Sequence, residues 1–98
     1  MKELTNAERK TLSAAANTLN PVVQIGQSGL TDGVIGKIKE SLEAHELIKI
    51  KFLEFKEEKK ELAQTVCEKT DCTLVRIIGN VAIIYKQSEN PEKRKFDI

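Results

Sequence analysis

The chain has no tryptophan, and its aromatic content is three Phe and one Tyr in 98 residues. Any core it builds is therefore aliphatic. It has one His and two Cys. Cys67 and Cys72 match no zinc or redox spacing, and no His or Cys pair completes a four-ligand set. No metal or other cofactor is therefore expected, and Cys67, on the apolar side of an expected helix, reads as a buried thiol, with a local disulfide or redox role as the lesser reading. A surplus of charge is missing too, because 16 Lys+Arg face 15 Asp+Glu for a net +1. Bulk charge thus advertises no nucleic-acid partner; only its distribution could. No apolar run approaches the ~20 residues that span a bilayer. The start, Met1-Lys2-Glu3-Leu4-Thr5-Asn6, lacks the apolar stretch of a signal peptide. No membrane association and a cytoplasmic location are the expectation, for a single domain with one core.

What is present is a regular alternation of helix and strand signals. Thr5-Asn6-Ala7-Glu8 has the T-x-x-E form of a capping box. A helix follows to about Asn17–Leu19, with Leu12, Ala15, Ala16 and Leu19 at helical spacing, before Asn20-Pro21 ends it. Val22–Ile25 reads as a short buried strand. Thr31 suits a helix N-cap and Asp32 the first turn. The second helix repeats Leu30, Val34, Ile38 and Leu42 four residues apart. Gly33 and Gly36 fall inside it, each costing about 1 kcal/mol relative to Ala. They permit either tight packing against another element or close approach of a ligand backbone. In Leu47–Leu53, Ile48, Ile50 and Phe52 alternate with Lys49 and Lys51, as a half-buried strand requires. Glu57–Thr70 is expected as a third helix. Thr73–Ile78 and Val81–Lys86 are expected as a hairpin around a type II′ Gly79-Asn80 turn. Residues 1–87 form the expected domain; 88–98, with Pro91 and Lys93-Arg94-Lys95, form an expected flexible basic tail. The order α-β-α-β-α-β-β makes an α/β domain with a four-stranded mixed sheet packed with helices.

Catalytic chemistry has no foothold. The only histidine, His45, ends the second helix, where it suits terminal carbonyls. Ser28 is not in a G-x-S-x-G elbow and has no base placed to activate it. Neither G-x-x-x-x-G-K-[ST] nor G-x-G-x-x-G occurs. The chain reads as non-enzymatic, with no catalytic residues.

Binding has more support. Gly26-Gln27-Ser28-Gly29 links a strand to a helix start, so backbone N–H groups and the positive end of the helix dipole coincide. Such a turn suits phosphate. Lys37 and Lys39 lie on the following helix, Lys49 and Lys51 on one sheet face, Arg76 and Lys86 on the hairpin, and Arg9 and Lys10 on the first helix. Glu54, Glu57, Glu58, Glu61, Glu68 and Asp71 gather around the third helix, so a basic side opposite an acidic one is the expectation.

The segments Leu19–Thr31, Glu46–Lys51 and Ile78–Tyr85 together resemble the CRM domain family (chloroplast RNA splicing and ribosome maturation), over about Leu4 to Lys86. In form the chain looks like a stand-alone bacterial member of the YhbY type. The resemblance implies a fold similar to the C-terminal domain of translation initiation factor three. It also implies RNA binding through the glycine loop, somewhat as KH domains clamp backbone nucleotides. The implied partner is large-subunit ribosomal RNA or pre-50S particles, the implied role ribosome assembly, and the implied state a monomer. Relatives commonly carry Lys before the proline and a basic residue in the loop, where this chain has Asn20 and Gln27. The expected RNA-binding set is therefore Gly26, Gln27, Ser28 and Gly29, with Lys37, Lys49, Lys51, Arg76 and Lys86 supplying the attraction. The alternative is a protein-interaction module that reaches ribosomes through the third helix or the tail.

Overall fold

The computed structural model describes residues 3–96 and 98. Its elements run α1 (Asn6–Ala16), β1 (Val23–Ile25), α2 (Asp32–His45), β2 (Leu47–Phe52), α3 (Lys59–Thr70), β3 (Thr73–Ile78) and β4 (Val81–Tyr85). Single 3-10 turns lie at Lys56–Glu58 and Pro91–Lys93. The α-β-α-β-α-β-β order is as expected, with shifted edges: α1 stops at Ala16, and a 3-10 turn replaces the start of the third helix.

Both expected helix starts form by the expected chemistry. Thr5 N–H donates to Glu8 Oε1 at 2.9 Å and Glu8 N–H donates to Thr5 Oγ1 at 3.1 Å, completing the capping box. The hydroxyl of Thr31 accepts from Val34 N–H at 3.2 Å. In the hairpin, Gly79 takes φ 58 at the first central position while Asn80 stays at negative φ, as a type II′ turn requires.

The sheet order is β1-β2-β4-β3. β1 runs parallel to β2, and β4 pairs antiparallel with both β2 and β3. The β2-α3-β3 crossover thus leaves a gap that β4 fills. On β2, Ile48, Ile50 and Phe52 face one way, joining Ile38 and Leu42 of α2 and Ala63 and Val66 of α3 in the larger core. Leu47, Ile83 and Tyr85 face the other way, under Leu12 and Ala16 of α1. Two faces are buried by different helices, so the strands carry apolar residues in both registers where α1 reaches.

A bulge between Leu74 and Arg76 turns Val75 toward α1. There Arg9 donates from one Nη1 to the carbonyls of Leu74 (2.7 Å) and Val75 (2.9 Å). Arg9, one of the expected surface cations, is instead half-buried and ties α1 to the edge strand.

Residues 88–96 also depart from expectation. Glu46, buried at φ 61 just after α2, accepts from Ser88 N–H on Oε2 and Lys95 N–H on Oε1, both at 2.5 Å. Arg94 Nε donates to Ser88 O at 2.9 Å, and Phe96 meets Tyr85 edge-to-face at 6.0 Å between ring centres. The expected tail is a strap folded back on α1's core, because a buried carboxylate needs donors and the backbone of 88–95 provides them. Met1, Lys2 and Asp97, part of the expected domain and tail, lie outside the described residues.

Candidate nucleic-acid interface

The glycine loop is a four-residue turn closed by Gly29 N–H donating to Gly26 O at 3.0 Å. Its base is pinned to β2, since the Ile25 carbonyl accepts from Leu53 N–H (2.9 Å) and Glu54 N–H (3.2 Å). Gly29 has φ 69, a conformation in which a Cβ is penalised, so the turn itself requires glycine there. The Phe55 ring lies beside it, 3.6 Å from where a Gly29 Cβ would stand. Gln27 and Ser28 are exposed at the tip.

The other glycines of this unit have no such structural need. A Cβ at Gly26 or Gly36 would meet no atom within 4 Å, and one at Gly33 would meet only Thr31 Oγ1 at 3.9 Å. None of the three has a positive φ. In α2 the apolar stripe of Val34, Ile38 and Leu42 turns to the core, and Gly33, Gly36 and Lys37 occupy the opposite, exposed side. Of the two readings of Gly33 and Gly36, tight packing against another element has no support among the described residues. What remains is open space over the backbone at Gly26, Gly33 and Gly36, on the loop and the outer face of α2, with Asp32 exposed between them.

The cations divide between surfaces. β2's alternation puts Lys49 and Lys51 on the α1 side of the sheet. Arg76 opposes Ile83 on that same side, which α1 buries. The register lays Gln24, Lys51, Val81 and Ile78 in one row across all four strands. Here α1 does not reach: Gln24 and Lys51 are exposed, and Ile78 is 47% exposed. Lys49 is half-buried and donates from Nζ to Leu19 O at 3.1 Å, so it also fastens the α1–β1 linker. Lys37 lies across the β1 edge on α2's outer face. Lys86 belongs to neither group. It lines a cavity of about 290 Å³ with Lys39, Leu42, Glu43, Lys69, Thr70 and Asp71, where α2 and α3 end.

Charge does not divide cleanly between the sides, since Glu40 and Glu43 are exposed on α2 and Lys60 and Lys69 on α3. α3 packs on the face of the sheet opposite the Lys51–Arg76 side, and Glu57, Glu58, Glu61 and Glu68 are exposed there. Two features escape sequence reading. Gln24 falls in line with Lys51 only through the parallel β1–β2 register. Phe55, 41% exposed at φ 56, reaches the loop only because the chain turns back after β2. An exposed aromatic amid Glu and Lys was the one available signal. Among the described residues, no group of three or more His, Cys, Asp or Glu could hold a metal ion, and no helix is long and apolar enough to cross a membrane.

These features define a small α/β domain with a strand–Gly-x-x-Gly–helix unit and a cationic, half-uncovered sheet face. The model of the CRS1 / YhbY (CRM) domain matches residues 4–86, and the chain belongs to that family. It is 37% identical over 87 residues to YqeI of Bacillus subtilis, named a probable RNA-binding protein, covering 88% of this chain and 91% of that one. It is also 37% identical over 90 residues to a Haemophilus influenzae RNA-binding protein, with 91% of both chains covered. A solution structure from Staphylococcus aureus, described as that of a candidate RNA-binding protein, superposes with TM-score 0.81 at 34% identity. That match covers 97% of this chain and all of the other.

Proposed function

We propose that this chain is a non-enzymatic RNA-binding domain that seats an RNA backbone on the Gly26–Gly29 loop and the outer face of α2. The observation carrying this reading is the set of glycines the fold does not need. Gly26, Gly33 and Gly36 leave open space over the backbone, and each helical glycine costs about 1 kcal/mol that packing does not return. A ligand backbone that must come close gives them a use. Family membership and relatives named for RNA binding favour the same partner.

In this reading the loop amides other than that of Gly29, which closes the turn, hold phosphate, the Gln27 and Ser28 side chains hydrogen-bond, and Lys37 neutralises charge along α2. Lys51, with Lys49 beside it, supplies sequence-independent attraction next to the β1 edge, and Arg76 adds to it from β3 at the far edge of the same face. Lys86 stands outside this contact. The target we propose is ribosomal RNA of large (50S) subunit precursors, bound by a cytoplasmic monomer that assists their assembly. The family's ribosome-maturation character supports that target.

Crosslinking in cells followed by mapping of the bound RNA tests the target, and binding of the purified chain to protein-free large-subunit RNA tests directness. Crosslinks concentrated in large-subunit precursors, together with direct binding, are the expected result. Association with ribosomes but none with protein-free RNA would overturn direct binding and leave a protein-mediated route.

A further inference from the structure

The two cysteines occupy a defined position in the fold. α3 ends at Asp71, which takes φ 55, and Cys72 N–H donates back to Cys67 O at 3.1 Å. This is the six-to-one closure of a Schellman motif. In it the residue after the left-handed position contacts the residue five before it, usually as an apolar pair. Here both members of that pair are cysteines, and their Sγ atoms are 3.3 Å apart. With standard bond lengths, the 3.1 Å hydrogen bond limits their Cα separation to about 7 Å. That bound reaches the outer edge of the range that disulfides span, and the sulfurs have to close from 3.3 Å to about 2.05 Å.

We propose that Cys67 and Cys72 form a dithiol that oxidises to an intramolecular disulfide, making the α3–β3 junction a redox-modifiable site. The oxidant is hydrogen peroxide. One thiolate sulfur attacks the peroxide oxygen, the O–O bond breaks, and a sulfenic acid forms with loss of water. The second sulfur displaces the hydroxyl as a second water, so two thiols lose two electrons and two protons and the peroxide is reduced. Access exists from one side. Cys67 is part of the wall of a cavity of about 730 Å³ between the N-terminal segment, α1, α3 and β3, lined also by Leu4, Gln64, Glu68 and Leu74. Contact between the thiols splits their acidities. The hydrogen bond with Cys72, then burial, pushes Cys67 up, whereas the hydrogen bond with Cys67, then that with Thr70, brings Cys72 down against the effect of burial. Acidity and access thus fall on different sulfurs, for Cys72 releases its proton sooner but is fully buried, whereas Cys67 faces the cavity.

The test is hydrogen peroxide treatment of the folded, reduced chain, followed by alkylation under denaturing conditions and peptide mass mapping. The expected product is one monomer lacking two hydrogens, with peptides joined through Cys67 and Cys72 and both thiols recovered by a dithiol reductant. A control with the reagent added after unfolding shows whether the folded geometry directs the bridge: faster closure in the folded chain is expected. Cys72→Ser should instead accumulate sulfenic or higher acids on Cys67, or dimers. If that variant is unstable, the wild-type comparison of folded and unfolded chains decides alone. Thiols that stay alkylatable in the folded chain, a sulfinic acid without a bridge, or equal closure rates in both states would overturn the proposal.

Discussion

Replacing Gly36 by Ala should make the protein more stable and a weaker RNA binder. Position 36 lies in the second turn of α2, on the side away from the core, and an added Cβ meets nothing within 4 Å. No packing is lost and no clash created, so helix propensity alone sets the change: a gain of about 0.8–1 kcal/mol. In a domain of this size that corresponds to a rise of roughly 4–8 °C in Tm. Urea unfolding followed by circular dichroism should show a higher midpoint with an unchanged slope. The same methyl stands where the proposed RNA backbone lies, so affinity should fall about tenfold, or ~1.4 kcal/mol. Anisotropy of a labelled RNA at fixed salt measures this. Gly29→Ala is the companion. At φ 69 it should cost about 1–2 kcal/mol of stability, although its Cβ would meet the Phe55 ring at an ordinary 3.6 Å, and it should also weaken binding. Stability therefore moves in opposite directions in the two variants while affinity moves in one. A stabilised Gly36→Ala protein that binds RNA like the wild type would refute approach along the outer face of α2.

Two other perturbations examine the sheet and the strap. Lys51→Gln with Arg76→Gln should reduce the salt dependence of RNA affinity by about 1.4–1.8 in the slope of log K against log salt, whereas Lys86→Gln, on the opposite side, should leave it alone. An undiminished slope in the double variant would remove Lys51 and Arg76 from the phosphate contacts. Glu46→Gln leaves one acceptor oxygen for two amide donors, so Ser88 or Lys95 loses a charge-assisted bond. The expected cost is about 1–3 kcal/mol, with faster hydrogen exchange at those two amides. Exchange unchanged at both would show that the carboxylate does not hold the strap.

The elements and their order are legible in the chain because their signals are local. Thr5–Glu8 and Thr31 specify helix starts through hydrogen bonds spanning three residues, and Ile48-Lys49-Ile50-Lys51-Phe52 specifies a strand through alternation alone. The glycine loop was legible for the same reason: its turn is closed within four residues. Only the tertiary structure decided what shares a surface. Lys51 and Arg76 lie 25 residues apart in sequence and meet on one face because β4 inserts between β2 and β3. Lys86 is sent to the other face by the pleat that buries Tyr85 beside α1. Arg9 reads as an ordinary surface cation and nothing local singles out Glu46, yet their partners are backbone groups tens of residues away, invisible to any local pattern. The same holds for the glycines of α2. Their cost could be read from the chain, but the open space above them exists only once α2 has turned its other side to the sheet.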